Sequence, residues 1–441
     1  MKKRTRRQKA IIRRRIFLSA CALVLAAVIA LIVFVAGSII GISEKEPQKE
    51  NTSKTESNSS KVEEVIPDTY ATVLSIGDIM CHSHQLEGAR TSDGYDFSAF
   101  FKELSPYFQK FDLCVGNLEL TFGGTEAGSF RGYPSFNTPD QLADTIKSSG
   151  INLLMTANNH SYDTGLKGLT RTARILKEKQ IEYTGTRELE TEPKYLVKDI
   201  NGIKIGIVNF TYEPTGDDAT RKYLNGGAIS RDANGLINTF SYQRIDSFYT
   251  EAKSVIEAMK NDGAEFISFY MHWGEEYQLT ANTWQKSIAQ KLSNMGVNMI
   301  VGGHPHVVQP MELIHSEDSQ NTTICIYSLG NAVSNQRREL MKNSSPKGHT
   351  EDGVMFSYKL KKSGDGEVSV VDVDIIPTWV YKYSQNGYKY TVYPIEDLQT
   401  ATTKYSSLAS KLTESYNRTK AIVESGLTEC QQAIGCEITI N

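Results

Sequence analysis

The sequence predicts an α/β fold in which largely buried strands are layered beneath helices. Three observations predict it. From Thr72 onward, short apolar runs bounded by glycine alternate with segments of helical periodicity, the pattern of sheets covered on their faces. Five clusters of Asp, Glu, Asn and His fall where such runs end, the place where layered sheets collect ligand sites. The most distinctive, Val301-Gly-Gly-His-Pro-His-Val-Val308, sets His304 and His306 one residue apart in a glycine-rich turn after the apolar run Val297–Val301.

Taken in order, Val73–Gly77, Leu113–Gly116, Leu153–Ala157, Lys204–Phe210, Phe266–His272, Met299–Gly302 and Ile324–Ser328 read as strands. Phe97–Phe111, Gly165–Lys179, Gln243–Asp262 and Trp284–Met295 carry the spacing of amphipathic helices. Beyond about residue 353 the texture changes. Val354–Leu360 and Val368–Val380 alternate like antiparallel strands, followed by Tyr-rich residues 381–393 and a helix near 402–424. Residues 68–380 are therefore expected to form the main domain and 381–441 a C-terminal extension.

The N-terminus is organised differently. Residues 1–15 hold nine Lys or Arg and no acid, so the formal net charge of −3 leaves −12 for the rest of the chain. Residues 16–42 form an uncharged apolar run of 27, long enough at about 1.5 Å per residue to cross a hydrocarbon core of roughly 30 Å. The basic block ahead of it predicts a single-pass anchor in the cell membrane, N-terminus in the cytoplasm and C-terminal domain outside. A cleaved signal peptide would have a shorter apolar region. Leu18-Ser-Ala-Cys21 looks like a lipidation box, but only two apolar residues separate it from Arg15, too few for that role. Residues 43–67, polar and free of aromatics, read as a disordered tether. Cys430 and Cys436 would permit a small disulfide loop in an extracytoplasmic protein, and spacing alone leaves that open. The acidic ectodomain argues against nonspecific nucleic-acid binding.

Imidazoles and hard oxygens at strand ends point to metal chemistry. Asp78 follows Ile76-Gly77, a pairing that is also ordinary turn chemistry. His82 and His84 lie close by as a further ligand or as surface residues. Glu119 closes Cys114-Val-Gly-Asn-Leu-Glu, where a carboxylate could bridge two cations or simply be solvated. Asn158-Asn159-His160 is poorly explained as packing, and Asp163 is placed to fix the His160 tautomer or to cap the next helix. His272 ends an apolar run ahead of Trp273-Gly274-Glu275. Tyr270, Tyr277 and Trp284 read as core or cleft wall, and Arg337-Arg338 as a solvated pair in a loop or, as the second reading, as cationic groups for an anionic substrate.

Together, Gly77-Asp78, Asn117-Leu-Glu119, Thr156-Ala-Asn-Asn-His-Ser-Tyr-Asp163, His272-Trp-Gly-Glu-Glu-Tyr277, Gly303-His-Pro-His306 and Ser328-Leu-Gly-Asn331 resemble the bacterial capsule-synthesis family typified by CapA and PgsA, membrane-anchored proteins of poly-γ-glutamate production. The resemblance covers roughly residues 70–380. It implies a divergent calcineurin-like metallophosphoesterase fold, a four-layer αββα sandwich. It also implies a centre of divalent ions, two in number, with Mn, Zn or Fe as candidates. Asp78, Glu119 and His306 would hold one ion. Glu119 would bridge to a second, held by Asn159, His272 and His304. His160, backed by Asp163, would be the acid near the leaving group, and the ions would activate water and clamp the attacked oxygen. The chain departs from the phosphoesterase pattern twice. Asp78 is followed by Ile79-Met80 in place of Asp-x-His, and the bridging Asp is replaced by Glu119.

Three functions follow as expectations. The first is a part in capsule or poly-γ-glutamate assembly at the outer membrane face, beside other membrane proteins of synthesis or export, acting on an anionic polymer. The second is a metal-dependent hydrolase of a phosphoester or amide that trims polymer. The third is a non-catalytic scaffold with a degenerate centre.

Overall fold

The computed structural model describes residues 66–214, 221–341, 346–385 and 387–435. The predicted segment 1–15, the span 16–42, all but the last two residues of the tether 43–67, and Cys436 lie outside the described residues. Among the described residues no helix is long and apolar enough to cross a membrane.

Two mixed sheets dominate the described residues. The first has eight strands. Its main path runs Tyr388–Pro394, Val368–Ser384, Asp352–Lys362, Thr69–Ile79, Leu113–Leu118, Leu153–Met155 and Glu182–Thr184, and Asn331–Val333 also pairs with Thr69–Ile79. The second has seven, ordered Thr239–Phe240, Ile203–Tyr212, Phe266–His272, Met299–Gly303, Thr322–Ile326 and Met311–His315, with Tyr195–Ile200 paired to Ile203–Tyr212. Every expected strand is present. Most are longer than their apolar runs, because pairing extends past the last buried side chain.

Alternation within the strands sets the layers. Val73, Val115 and Met155 from the first sheet meet Ile205, Ile207, Val301 and Ile326 from the second in one shared core. The alternate residues Leu74, Ile76, Cys114 and Leu154 face outward. They pack on Leu142 and Ile146 of the helix Gln141–Ser149 and on Leu176 of the helix Gly165–Glu178. On the far side, Val208, Phe210, Ile267, Phe269 and Ile300 meet Phe248, Ile256 and Met259 of the helix Ile245–Asn261. Ile288 and Leu292 of the helix Thr283–Ser293 join them. The order through the molecule is helices, sheet, sheet, helices. At roughly 1.5–3 kcal/mol for each fully buried aliphatic side chain, these three cores supply the main drive to fold.

Two expectations are corrected. Phe97–Phe111 is not one helix; only Ser105–Phe108 is helical, with Pro106 in its first turn. Phe97, Phe100, Phe101, Leu104 and Phe108 are all buried, but successive turns deliver them. The Val392 N–H donates to the Phe100 carbonyl at 3.1 Å, which ties this segment to the sheet edge. The boundary at residue 380 falls inside the strand Val368–Ser384, whose pairing with Tyr388–Pro394 continues to Ser384. The expected C-terminal helix spans Ala409–Ala433 and sends Val423 and Cys430 into the shared core. Residues 381–435 thus hold a sheet-completing strand, as expected of the stretch after 353, and the C-terminal helix.

Candidate metal centre

The centre is assembled where four strands end. In Thr69–Ile79 the pairing with Leu113–Leu118 slips between Ile76 and Asp78, a bulge that re-aims the Asp78 side chain. Only glycine fits at the slip, since a Cβ on Gly77 would lie 1.8 Å from the Gly330 carbonyl oxygen. Glu119 follows the end of Leu113–Leu118, its N–H held by the Ile79 carbonyl at 3.1 Å. His272 is the last residue of its strand and sits opposite Gly303 on the neighbouring one. A Cβ on Gly303 would come within 2.8 Å of Asp78 Oδ1, so the glycine leaves that carboxylate room. His304 and His306 then take positive φ values of 95° and 57°. Such conformations are costly away from glycine and concentrate at functional sites.

All six expected ligand residues converge. His306 Nδ1 lies 3.2 Å from Asp78 Oδ2, and His306 Nε2 lies 3.7 Å from Glu119 Oε1. His272 Nε2 lies 3.6 Å from that same oxygen and 2.8 Å from Asn159 Oδ1. The rings of His272 and His304 are 4.8 Å apart. Two compact donor groups result, Asp78–Glu119–His272 and Glu119–His304–His306, and Glu119 belongs to both. The shared carboxylate matches the expected bridge. His306 also lies against Asp78, and His272 against Asn159 and near His304, the neighbours that the family resemblance implies for them.

These residues fit divalent cations on independent grounds. Glu119 is fully buried, yet its Oε1 has no hydrogen-bond partner, and neither does His304 Nδ1. Unpartnered buried polar atoms are costly, and here they belong to hard-oxygen and imidazole donors aimed at one point. Burial, then the nearby Asp78 carboxylate, pushes Glu119 well above the usual carboxylate range. Burial, then His304, pushes His272 well below the usual imidazole range. Burial, then His306, lowers His304 to about 4. Among the described residues, no lysine or arginine is a hydrogen-bond or ion-pair partner of this acid and imidazole set, and cations would relieve the crowding.

His160 stands beside this set. Its Nδ1 lies 2.7 Å from Asp163 Oδ2, and its ring meets Phe136 edge-on at 4.7 Å. Asp163 is fixed in turn by the Phe136 N–H at 2.6 Å and by Asn225 Nδ2 at 3.2 Å. The carboxylate therefore orients the ring and does not cap the helix at Gly165, whose cap position has no side-chain bond.

Other expectations separate from the centre. His84 packs on Tyr388, while His82 opens the helix Ser83–Ala89 and lies against Phe136. Arg337 and Arg338 are not a solvated pair; both reach the buried carboxylate of Glu351. Tyr270 is core, whereas Trp284 is exposed and stacks on Tyr242.

Several residues were missed. Asn117 Nδ2 donates to Asp78 Oδ1 at 2.7 Å, and Asn158 Nδ2 reaches Asn117 Oδ1 at 3.2 Å. Asn209 Oδ1 accepts from the Ala157 N–H at 2.6 Å and so anchors the loop of Asn159 and His160 to the second sheet. An Asn inside the apolar run Ile207-Val-Asn-Phe210 was the visible signal for that role. Asn225 carried none.

The family model of the bacterial capsule synthesis protein PGA_cap matches residues 72–336. The chain belongs to this family. It is 28% identical to the capsule biosynthesis protein CapA of Bacillus anthracis over 69% of this chain and 67% of that protein. It is 27% identical to the PGA biosynthesis protein CapA of Bacillus subtilis strain 168 over 68% of this chain and 70% of that one. Among solved structures, the Haemophilus influenzae NAD nucleotidase NadN aligns over 80% of this chain and 68% of its own, with 14% identity and a TM-score of 0.42. That likeness is too distant to carry an argument.

Proposed function

We propose that this chain is a membrane-anchored, extracytoplasmic component of capsule or poly-γ-glutamate biosynthesis that carries a divalent-metal hydrolytic centre of the metallophosphoesterase type. Family membership supports the first half, and the 27-residue apolar run behind a basic block supports the anchor. The observation that carries the second half is the shared Glu119 between two donor groups, with an unpartnered oxygen facing them. The αββα sandwich of that superfamily is the architecture we assign, in keeping with the helix–sheet–sheet–helix order.

Asp78, Glu119, Asn159, His272, His304 and His306 would hold the ions. Mn, Zn and Fe all suit such a mixed oxygen and nitrogen set. Divalent ions there would act as Lewis acids on a phosphoester or amide and lower the pKa of water. The chain's own contribution is orientation and proton handling. Asp163 keeps the His160 Nδ1 proton, which leaves Nε2 free to exchange a proton with a leaving group. Asn117 holds Asp78 in place beside the His306 imidazole. The acting partners would be membrane proteins of polymer synthesis or export, and the substrate an anionic polymer.

Metal analysis of the purified chain, together with polymer measurement in a deletion strain complemented by wild type or His304→Ala, tests this. Bound divalent metal and polymer restored only by wild type are expected. Normal polymer without the gene would refute the biosynthetic role. A second reading, a non-catalytic scaffold, draws on Met80, which stands where the superfamily has a histidine ligand and is buried in the outer core. Polymer restored fully by His304→Ala would favour it.

A further inference from the structure

We propose that the Tyr277 hydroxyl is the hydrogen-bond donor that binds an oxyanion, a phosphate-like or carboxylate oxygen, at the mouth of the metal centre; this rests on the metal-centre reading above. Tyr277 has φ of +66°, a conformation a bulky side chain seldom takes unless its surroundings impose it. The imposition is visible. Its N–H donates to the Pro305 carbonyl at 2.8 Å, between the two histidines of the Gly303-His-Pro-His306 turn. Its ring stands 6.1 Å from that of His306. The backbone thus holds the Tyr277 ring beside His306.

The hydrogen bonding around the hydroxyl gives it a direction. Gln336 Nε2 donates to the Tyr277 oxygen at 3.3 Å, while Gln336 Oε1 is held by Asn331 Nδ2 at 2.9 Å. Asn331 Nδ2 also bonds the His306 carbonyl at 3.2 Å, so this amide chain is fixed to the metal turn itself. The phenol therefore accepts from Gln336 and keeps its own proton to give. The Glu276 side chain, on the exposed rim, takes that proton in this structure. Being exposed, Glu276 can turn away and yield the donor to a ligand.

The chemistry of the neighbourhood explains the choice of a neutral donor. Among the described residues, the hydrogen-bond and ion-pair partners of Asp78, Glu119, His272, His304 and His306 include no lysine or arginine. Among the described residues, an oxyanion there would find no cationic partner among those of the ligand set, and Tyr277, half-buried with its ring beside His306, brings a neutral donor. Glu276, in contrast, competes with the oxyanion for that proton and repels it.

The experiment uses the full-length chain loaded with Mn²⁺ and inorganic phosphate as the probe, followed by calorimetry. Metal content and melting temperature are measured on every variant. Tyr277→Phe is expected to keep both and to bind phosphate about tenfold or more weakly, the loss for one hydrogen bond to a charged group. Glu276→Gln is expected to bind phosphate at least as tightly as wild type. Equal affinity in Tyr277→Phe overturns the assignment, as does loss of Mn²⁺ from that variant, which would make Tyr277 structural. Weaker binding in Glu276→Gln also overturns it, since Glu276 would then contact the ligand. A wild-type chain that takes up Mn²⁺ but no phosphate refutes the oxyanion site alone, and one that takes up no metal refutes the metal-centre reading beneath it.

Discussion

Two buried acidic clusters in this protein balance their charge in opposite ways. Under the C-terminal helix, Asp352 is bonded by Arg418 Nε at 2.7 Å, Arg418 Nη2 at 2.8 Å and Ser415 Oγ at 2.6 Å. Glu351 is met by Arg338 at 3.2 Å, Arg337 at 3.3 Å and the Trp379 indole at 3.3 Å. Every carboxylate oxygen there has a donor, and cations come from the chain. At the strand ends, Asp78 and Glu119 are as deeply buried but their partners are amides and imidazoles, with one oxygen left unpartnered. The first cluster is closed and belongs to the fold. The second leaves a buried carboxylate oxygen without a donor, and under the proposed function divalent cations would complete it.

The largest contrast concerns bound metal. Replacing His304 or His272 by Ala removes an imidazole from one of the two donor groups that share Glu119. We expect metal content, measured by elemental analysis after dialysis, to fall severalfold or be lost, with the chain still folded. Retained metal in both variants would break the distinction between the clusters.

Next comes the closed cluster. Arg418→Ala strands the buried Asp352 carboxylate, which burial already holds up at about 6 despite the arginine. Removing one partner of a buried pair costs about 3–5 kcal/mol. Denaturant unfolding should show that loss while metal content stays at the wild-type level. A fall in metal content would mean the two clusters are coupled through the segment between Asn331 and Glu351.

A smaller effect is expected at His82, beside the centre but outside it. Burial, opposed by the Gln85 hydrogen bond, depresses this imidazole to about 3 from an ordinary 6.5. The unfolded chain therefore binds a proton that the folded one refuses, and stability falls as pH drops below about 6.5 until near pH 3. His82→Gln should flatten that acid limb of the melting-temperature profile without changing metal content. An unchanged limb would show that the loss of stability in acid arises elsewhere.

Much of this contrast was legible in the sequence, for a physical reason. Strand ends are marked by apolar runs giving way to glycine, and candidate ligand residues such as Asp78, His272 and His304 sit at those marks. Glu119, a weak signal in the sequence, stands in both candidate donor groups. The closed cluster was not legible, since Arg337-Arg338 looks like any solvated pair until Glu351 and the helix Ala409–Ala433 cover it. Asn225 was equally hidden, because an amide that orients a neighbour follows no periodicity, whereas Asn117 stood in the Asn117-Leu-Glu119 cluster without its orienting role being visible. The broken helix at Phe97–Phe111 shares that cause: turns of three residues and a true helix bury similarly spaced apolar side chains.

The smallest expected change in metal content and stability is at His160, and it sharpens the comparison most finely. Its partner Asp163 is an almost fully buried acid, yet a closed one, since the Phe136 N–H, Asn225 and the His160 ring itself supply donors. His160 therefore sits next to Asn159 without belonging to either donor group. His160→Gln retains one donor toward Asp163 and should melt within about 1 kcal/mol of wild type, the net worth of a typical hydrogen bond. Metal content should not move. If the ring serves as the proton donor beside the ions, polymer production in a complemented deletion strain should nevertheless fall. Loss of metal from His160→Gln with retention in His304→Ala would reverse the roles assigned to the two histidines, and unchanged polymer would leave the ring as support for the loop alone.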